Sequence, residues 1–156
     1  MLWSRRAILS LPLALAACGF SPVNTPGNTL VGKVSVSEPD SRESFLLVQR
    51  LEERLGRTSN AQYELAMNLK ISETGLAEDA TAQLRRFNVL GQADYTLRNV
   101  TTGEITASGS VDNFTGYASA GTTIATLAAQ RDANERLMTI LADDIVKRLQ
   151  LLQLDP

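Results

Sequence analysis

Nine consecutive residues constrain this chain more than any others. Tyr63, Leu65, Met67, Leu69 and Ile71 alternate with Glu64, Ala66, Asn68 and Lys70. Successive side chains of a strand point to opposite faces, so this period sets one face on a core and the other in water. Such a sheet must be covered on its apolar side by something else in the chain. A cover is visible near the C-terminus. Leu137, Leu141, Ile145, Leu149 and Leu152 recur at intervals of four, four, four and three residues, a continuous helical stripe. The pattern starts near Thr122 or Thr123, is opened by Ile124, Leu127 and Ala128, and runs to about Leu152. Asp143, Asp144, Lys147 and Arg148 fall largely off the stripe and read as a solvated face.

The remaining elements follow from the same two periods. Val34 and Val36 alternate with Lys33, Ser35 and Ser37, a half-buried strand over Val31 to Ser37 that Pro39 ends. Asp40-Ser41-Arg42-Glu43 resembles a capping box. A helix should follow to Leu55, with Leu47, Leu51 and Leu55 on its apolar face, Phe45 and Val48 flanking, and Gly56 as a left-handed stop. Glu73 to Ala80 reads as a turn or loop. A third strand region spans Ala82 to Asn99, where Gly91 marks a bulge or a close backbone approach. Val100 to Gly103 then connects to Glu104–Val111, with Ile105, Ala107, Gly109 and Val111 inward, forming a hairpin. Phe114 to Thr123 changes character, with glycines and small residues. The order β-α-β-β-β-α predicts an α+β fold: a mostly antiparallel or mixed four-stranded sheet with two helices packed on one face.

The N-terminal stretch is of another kind. Arg5 and Arg6 precede an apolar run from Ala7 to Leu15, and Leu15-Ala16-Ala17-Cys18 closes it. A basic head, a short apolar run and small residues at the end describe a secretory signal peptide. The run falls short of the roughly 20 residues that span a bilayer. Leu-Ala-Ala-Cys resembles the bacterial lipobox, in which the thiol receives a diacylglycerol and cleavage leaves the cysteine first. Cys18 is the only cysteine, so it has no disulfide partner in the chain. Two or three acyl chains, at ~0.8 kcal/mol per buried methylene, anchor a protein to a membrane that it does not span. Ser4-Arg5-Arg6-Ala7-Ile8-Leu9 also resembles a twin-arginine export signal, while the same arginines suit a plain basic head; both routes leave the cytoplasm. Gly19 follows the cysteine in place of the aspartate associated with inner-membrane retention, which favours outer-membrane sorting by analogy. The expected organisation is a signal peptide over 1–17, a Pro- and Gly-containing tether over 18–30, and one domain over 31–154.

Composition narrows the chemistry. Without residues 1–17, the 156-residue chain is 139 residues long, enough for one compact domain. Loss of Arg5 and Arg6 from its 15 basic residues leaves 13 against 17 acidic ones, a balance of −4. That balance and the 5% aromatic content argue against nucleic-acid binding. The chain has no histidine, which removes the commonest general base and the commonest metal ligand. With Cys18 acylated, Ser-His-Asp, Cys-His and the usual zinc sites are excluded by inventory. Carboxylate chemistry remains possible. Glu52 beside Glu53, and Asp143 beside Asp144, diverge by about 100° on a helix and cannot act as catalytic pairs. No enzyme, metal site or cofactor is expected beyond the covalent lipid on Cys18.

The whole pattern resembles the LptE family of lipopolysaccharide-assembly lipoproteins. The likeness begins at Cys18-Gly19-Phe20 with Pro22 nearby and is strongest from Gly91 to Leu149. There Gly91-Gln92-Ala93-Asp94-Tyr95 leads a strand, Gly103 opens a hairpin, Tyr117 precedes an alanine-rich stretch, and Arg131-Asp132-Ala133 starts the body of the last helix. The resemblance implies a non-enzymatic partner protein. It would plug the lumen of the outer-membrane β-barrel LptD from the periplasmic side, aid barrel assembly and take part in delivering lipopolysaccharide to the cell surface. A barrel lumen is polar, and Glu64, Asn68, Lys70, Asp94, Thr96 and Arg98 offer a polar strand face. The resemblance further implies contact with lipopolysaccharide, whose phosphates suit arginine; Arg85, Arg86 and Arg131 are the candidates. The competing reading is a generic lipid-anchored periplasmic binding or spacer module with no barrel partner. The anchor itself is open to test. Cys18→Ser is expected to move the protein from the membrane fraction to the soluble fraction, and unchanged membrane retention would refute lipidation.

Overall fold

The computed structural model describes residues 30–78, 84–119 and 121–152. The signal segment, Cys18 and the tether up to residue 29 lie outside the described residues, as does the end of the chain from 153. The elements are β1 (Val34–Val36), α1 (Arg42–Leu55), β2 (Tyr63–Glu78), β3 (Leu84–Asn99), β4 (Ile105–Ala118) and α2 (Thr123–Gln150). They form one four-stranded sheet in the order β1-β2-β3-β4. β1 runs parallel to β2, and the β2–β3 and β3–β4 pairs are antiparallel. The expected mixed sheet and two helices are therefore present in the expected order.

Odd-numbered residues of the three long strands build the inner face. Leu65 pairs with Leu97, and Leu97 with Ala107; Leu69 pairs with Ala93, and Ala93 with Val111. Leu65, Val89, Ala93, Leu97 and Val111 are buried, and α2 covers them with Leu137, Leu141, Ile145 and Leu149, all fully buried. α1 adds Leu47, Leu51 and Leu55, and Leu30 joins the same core from the end of the tether. Gly91 is a close approach and not a bulge. A Cβ there would lie 3.0 Å from a methyl of Leu137 and 3.0 Å from one of Leu141. The missing side chain lets the helix rest on the backbone of β3.

The two helices are also joined at their outer seam. Asp143 on α2 stands 3.4 Å from Arg50 and 3.6 Å from Arg54 on α1, and the Asn134 amide donates to Glu43 at 3.3 Å. Asp143 is thus not the freely solvated carboxylate expected of it. Partial exposure on both sides keeps such a pair to at most about 1 kcal/mol.

Several boundaries differ from expectation, each for a local reason. Glu73 onward is not a loop, because β2 continues to Glu78 and pairs through Glu73–Val89 and Gly75–Phe87, with irregularities near Ala77. α1 packs on β1 and α2, so this half of β2 carries polar residues without losing its backbone ladder. β4 likewise reaches Ala118 through the stretch that changes composition. The cap of α1 sits one residue later than expected. Ser41 is the N-cap, its hydroxyl accepting from the Ser44 amide, while the Ser44 hydroxyl accepts from the Ser41 amide and donates to Asp40. Ser44 takes the inward position, which turns the next residue, Phe45, out to 55% exposure. Gly56 has the positive φ expected of a stop (78°), but its ψ of 144° lies outside the left-handed helical region. Ile105 is exposed, because Leu97 faces Ala107 while Arg98 faces Ile105, and the extra residue rotates the strand start. Ile124, 82% exposed, and Leu127 open α2 without joining the core.

Packing at Gly91 is open to a direct check. Gly91→Ala is expected to lower unfolding free energy by about 1–3 kcal/mol in urea titrations, because two buried leucines must shift. Phe45→Ala should change it by less than about 0.5 kcal/mol.

Candidate functional site

The sheet face turned away from the helices is the largest ordered surface built from the residues expected to face outward. The register aligns Glu64 with Arg98, Ala66 with Thr96, Asn68 with Asp94, and Lys70 with Gln92. β4 adds Ser108 opposite Thr96, Ser110 opposite Asp94, and Asp112 opposite Gln92. Opposite charges and neutral polar groups thus alternate across the strands. The Gln92 amide donates to Asp94 and to Ser110, both at 3.1 Å, and the Lys70 ammonium lies 3.5 Å from Asp94. Hydrogen bonds from Ser110 and then Gln92 hold the Asp94 carboxyl below its usual range, with Lys70 adding to the effect.

One apolar step interrupts this face. Leu90 and Phe114 are paired neighbours, and Phe114 is 62% exposed. They border a shallow depression of about 310 Å³ that Lys70, Gln92 and Asp112 complete. Among the described residues no group of acidic residues could hold a metal ion. The face is suited to broad polar contact.

A second cluster lies at the far end of the sheet. Phe87 and Tyr117 are stacked with ring centroids 5.1 Å apart. The Tyr117 hydroxyl donates to Glu73 at 2.9 Å, and the Gln130 amide donates to the other oxygen of Glu73 at 2.8 Å. Glu73 therefore ties β2 to β4 and α2. Sequence reasoning missed it because the segment reads as a polar loop. Burial, then the bond to Glu73, pushes the Tyr117 hydroxyl up to about 12.

Two of the three arginine candidates, Arg86 and Arg131, do not converge. Arg86 is exposed at an outward position of β3, opposite Ala118. Arg131 is exposed on α2, on the other side of the sheet. Arg85 falls within β3, but its side chain lies outside the described residues, as does Cys18. A neighbouring arginine that the sequence did not single out is better tied into the fold. Arg136 pairs with Asp132 and donates to the carbonyl oxygen of Gly116 at 3.2 Å.

Known proteins share this architecture. A family model described as LptE, lipopolysaccharide-assembly, matches residues 31–149. A lipoprotein from Caulobacter crescentus CB15 is 26% identical, with a TM-score of 0.65 over 79% of this chain and 92% of that one. Rare lipoprotein B from Shewanella oneidensis has a TM-score of 0.58 at 13% identity, covering 75% of this chain and 91% of its own. A minor lipoprotein from Acinetobacter baumannii has a TM-score of 0.56 at 16% identity, covering 76% and 90%. The last two show likeness of fold. No curated protein matches the chain.

The Tyr117 cluster predicts a pH effect with a definite sign. A hydroxyl whose pKa is raised on folding stabilises the native state fully below its unfolded value near 10, and that contribution is lost as pH rises toward 12. Stability should therefore fall more steeply between about pH 10 and 12 in the parent chain than in Tyr117→Phe. Equal slopes would show that Tyr117 is not perturbed.

Proposed function

Because the chain belongs to the LptE family of lipopolysaccharide-assembly lipoproteins, a non-enzymatic family, we propose that it plugs an LptD-type β-barrel of the outer membrane. In that role it would aid barrel assembly and take part in delivering lipopolysaccharide to the cell surface. The lipid on Cys18 would hold it on the periplasmic side of the membrane. One observation supports the plug reading most: among the described residues the sheet leaves a whole face uncovered, and that face is largely polar with both signs of charge. Glu64, Asn68, Lys70, Asp94, Thr96 and Arg98 all lie on it. An ordinary apolar interface would demand a dry patch there, whereas the lumen of a membrane barrel is polar. The polar sheet face is accordingly assigned to the lumen wall.

Lipopolysaccharide contact through arginine is part of the same proposal. Since Arg86 and Arg131 stand on opposite sides of the sheet, one phosphate cannot use both. They would serve separate contacts, with Arg85 beside Arg86 in the chain.

The test is purification of the tagged protein from membranes in mild detergent. A large outer-membrane barrel in about one-to-one amount is expected, with lipopolysaccharide in the complex. Membrane-bound protein with no barrel would refute the plug and leave a generic lipid-anchored module. In binding assays with purified lipopolysaccharide, Arg86→Glu or Arg131→Glu should weaken binding about tenfold if that arginine holds a phosphate. No change in either would remove both from the site.

A further inference from the structure

β4 is an outer strand of the sheet, and among the described residues one side of its backbone faces no other strand. Fourteen residues of open edge are a hazard, because free amides and carbonyls invite pairing with another chain. The usual deterrents are nearly absent. β4 contains no proline, no lysine and one charged residue, Asp112. From Ala107 to Ala118 it runs in register with β3 without a bulge.

Two side chains reveal which backbone groups face outward. The Phe114 N–H donates to its neighbour Asn113 at 2.9 Å, and the Gly116 carbonyl accepts from Arg136 at 3.2 Å. N–H and C=O of one strand residue point to the same side, and that side alternates along the strand. From Ser108 to Ala118, even-numbered residues of β4 therefore present their backbone groups to the open edge. Ser108, Ser110 and Asp112 leave theirs available for a strand. At Phe114 and Gly116, Asn113 and Arg136 occupy one group each. Both caps are themselves held from α2. Asn113 reaches Asp144 at 3.5 Å, and Arg136 is paired with Asp132.

We propose that Asn113 and Arg136 are edge caps that stop β4 from pairing with β4 of a second copy of this chain. The symmetric antiparallel register centred on Phe114 is the one at issue, because its pairs all lie in the regular stretch from Ala107 to Ala118. It sets Phe114 opposite Phe114, Asp112 opposite Gly116 and Ser110 opposite Ala118, with no like charges facing. A register centred on Asp112 would oppose two carboxylates and is disfavoured. In the Phe114 register the central hydrogen-bonded pairs use Phe114 and Gly116. Those are the positions the caps occupy. The caps leave that ladder only its outer pairs, too few to hold two copies together. This inference is independent of the barrel reading and concerns the chain alone.

The experiment is sedimentation velocity of the mature chain over a range of concentrations. The parent chain is expected to stay monomeric. The Asn113→Ala, Arg136→Ala double variant should associate to dimers at least tenfold more tightly. Adding Phe114→Pro should abolish that association, because it deletes an outward N–H at the centre of the ladder without touching the β3–β4 bonds. A folded double variant that remains as monomeric as the parent would overturn the proposal. So would dimers that survive Phe114→Pro. Should the double variant not fold, amide exchange of the parent chain decides. The Phe114 amide should exchange more slowly than those of Ser110 and Asp112, and equal rates at all three would show that Asn113 caps nothing.

Discussion

The contact of α2 with the bare backbone of β3 at Gly91 determines most of this structure. Leu137 and Leu141 rest where a side chain would otherwise stand. That seating sets the helix against β3 and β4, and its later residues Ile145 and Leu149 continue alongside the end of α1. α1 can then be short. It closes the core with Leu47, Leu51 and Leu55 and is held to α2 by Asp143. Burial of these aliphatic side chains, each contributing about 1.5–3 kcal/mol, outweighs any of the surface pairs.

Placing both helices on one side has a consequence for the other side. The outward face of β2, β3 and β4 has no cover within the described chain, and its residues are chosen for water or for a polar partner. Lys70, Gln92, Asp94 and Ser110 already satisfy one another. A surface of this kind can meet a polar wall without leaving a charge stranded, since its groups keep their own partners on burial. The apolar pair Leu90 and Phe114 is the exception.

Much of the fold was legible because it rests on two periods. The alternation at Tyr63–Ile71 and the stripe from Leu137 to Leu149 name the strand face and the helix face that meet. What was not legible is where pairing continues without burial. Past Ile71, β2 has no apolar alternation, yet Glu73 to Glu78 remains in the sheet because its partner strand supplies backbone bonds. Ile124, Leu127 and Phe45 show the reverse: apolar residues at helical spacing that the tertiary arrangement leaves in water. The polar face was readable residue by residue, since parity alone assigns it. The Glu73–Tyr117 tie and the Arg136 cap were not, as each joins segments far apart in sequence.

The proposed plug requires the polar sheet face to meet the lumen wall of a barrel. A photo-crosslinking amino acid placed at Asn68, in the middle of that face, tests it most directly in intact membranes, with Arg148 on the exposed side of α2 as the comparison. A crosslink from position 68 to a single large outer-membrane barrel is expected. Adducts to the barrel from position 148, with none from 68, would contradict it.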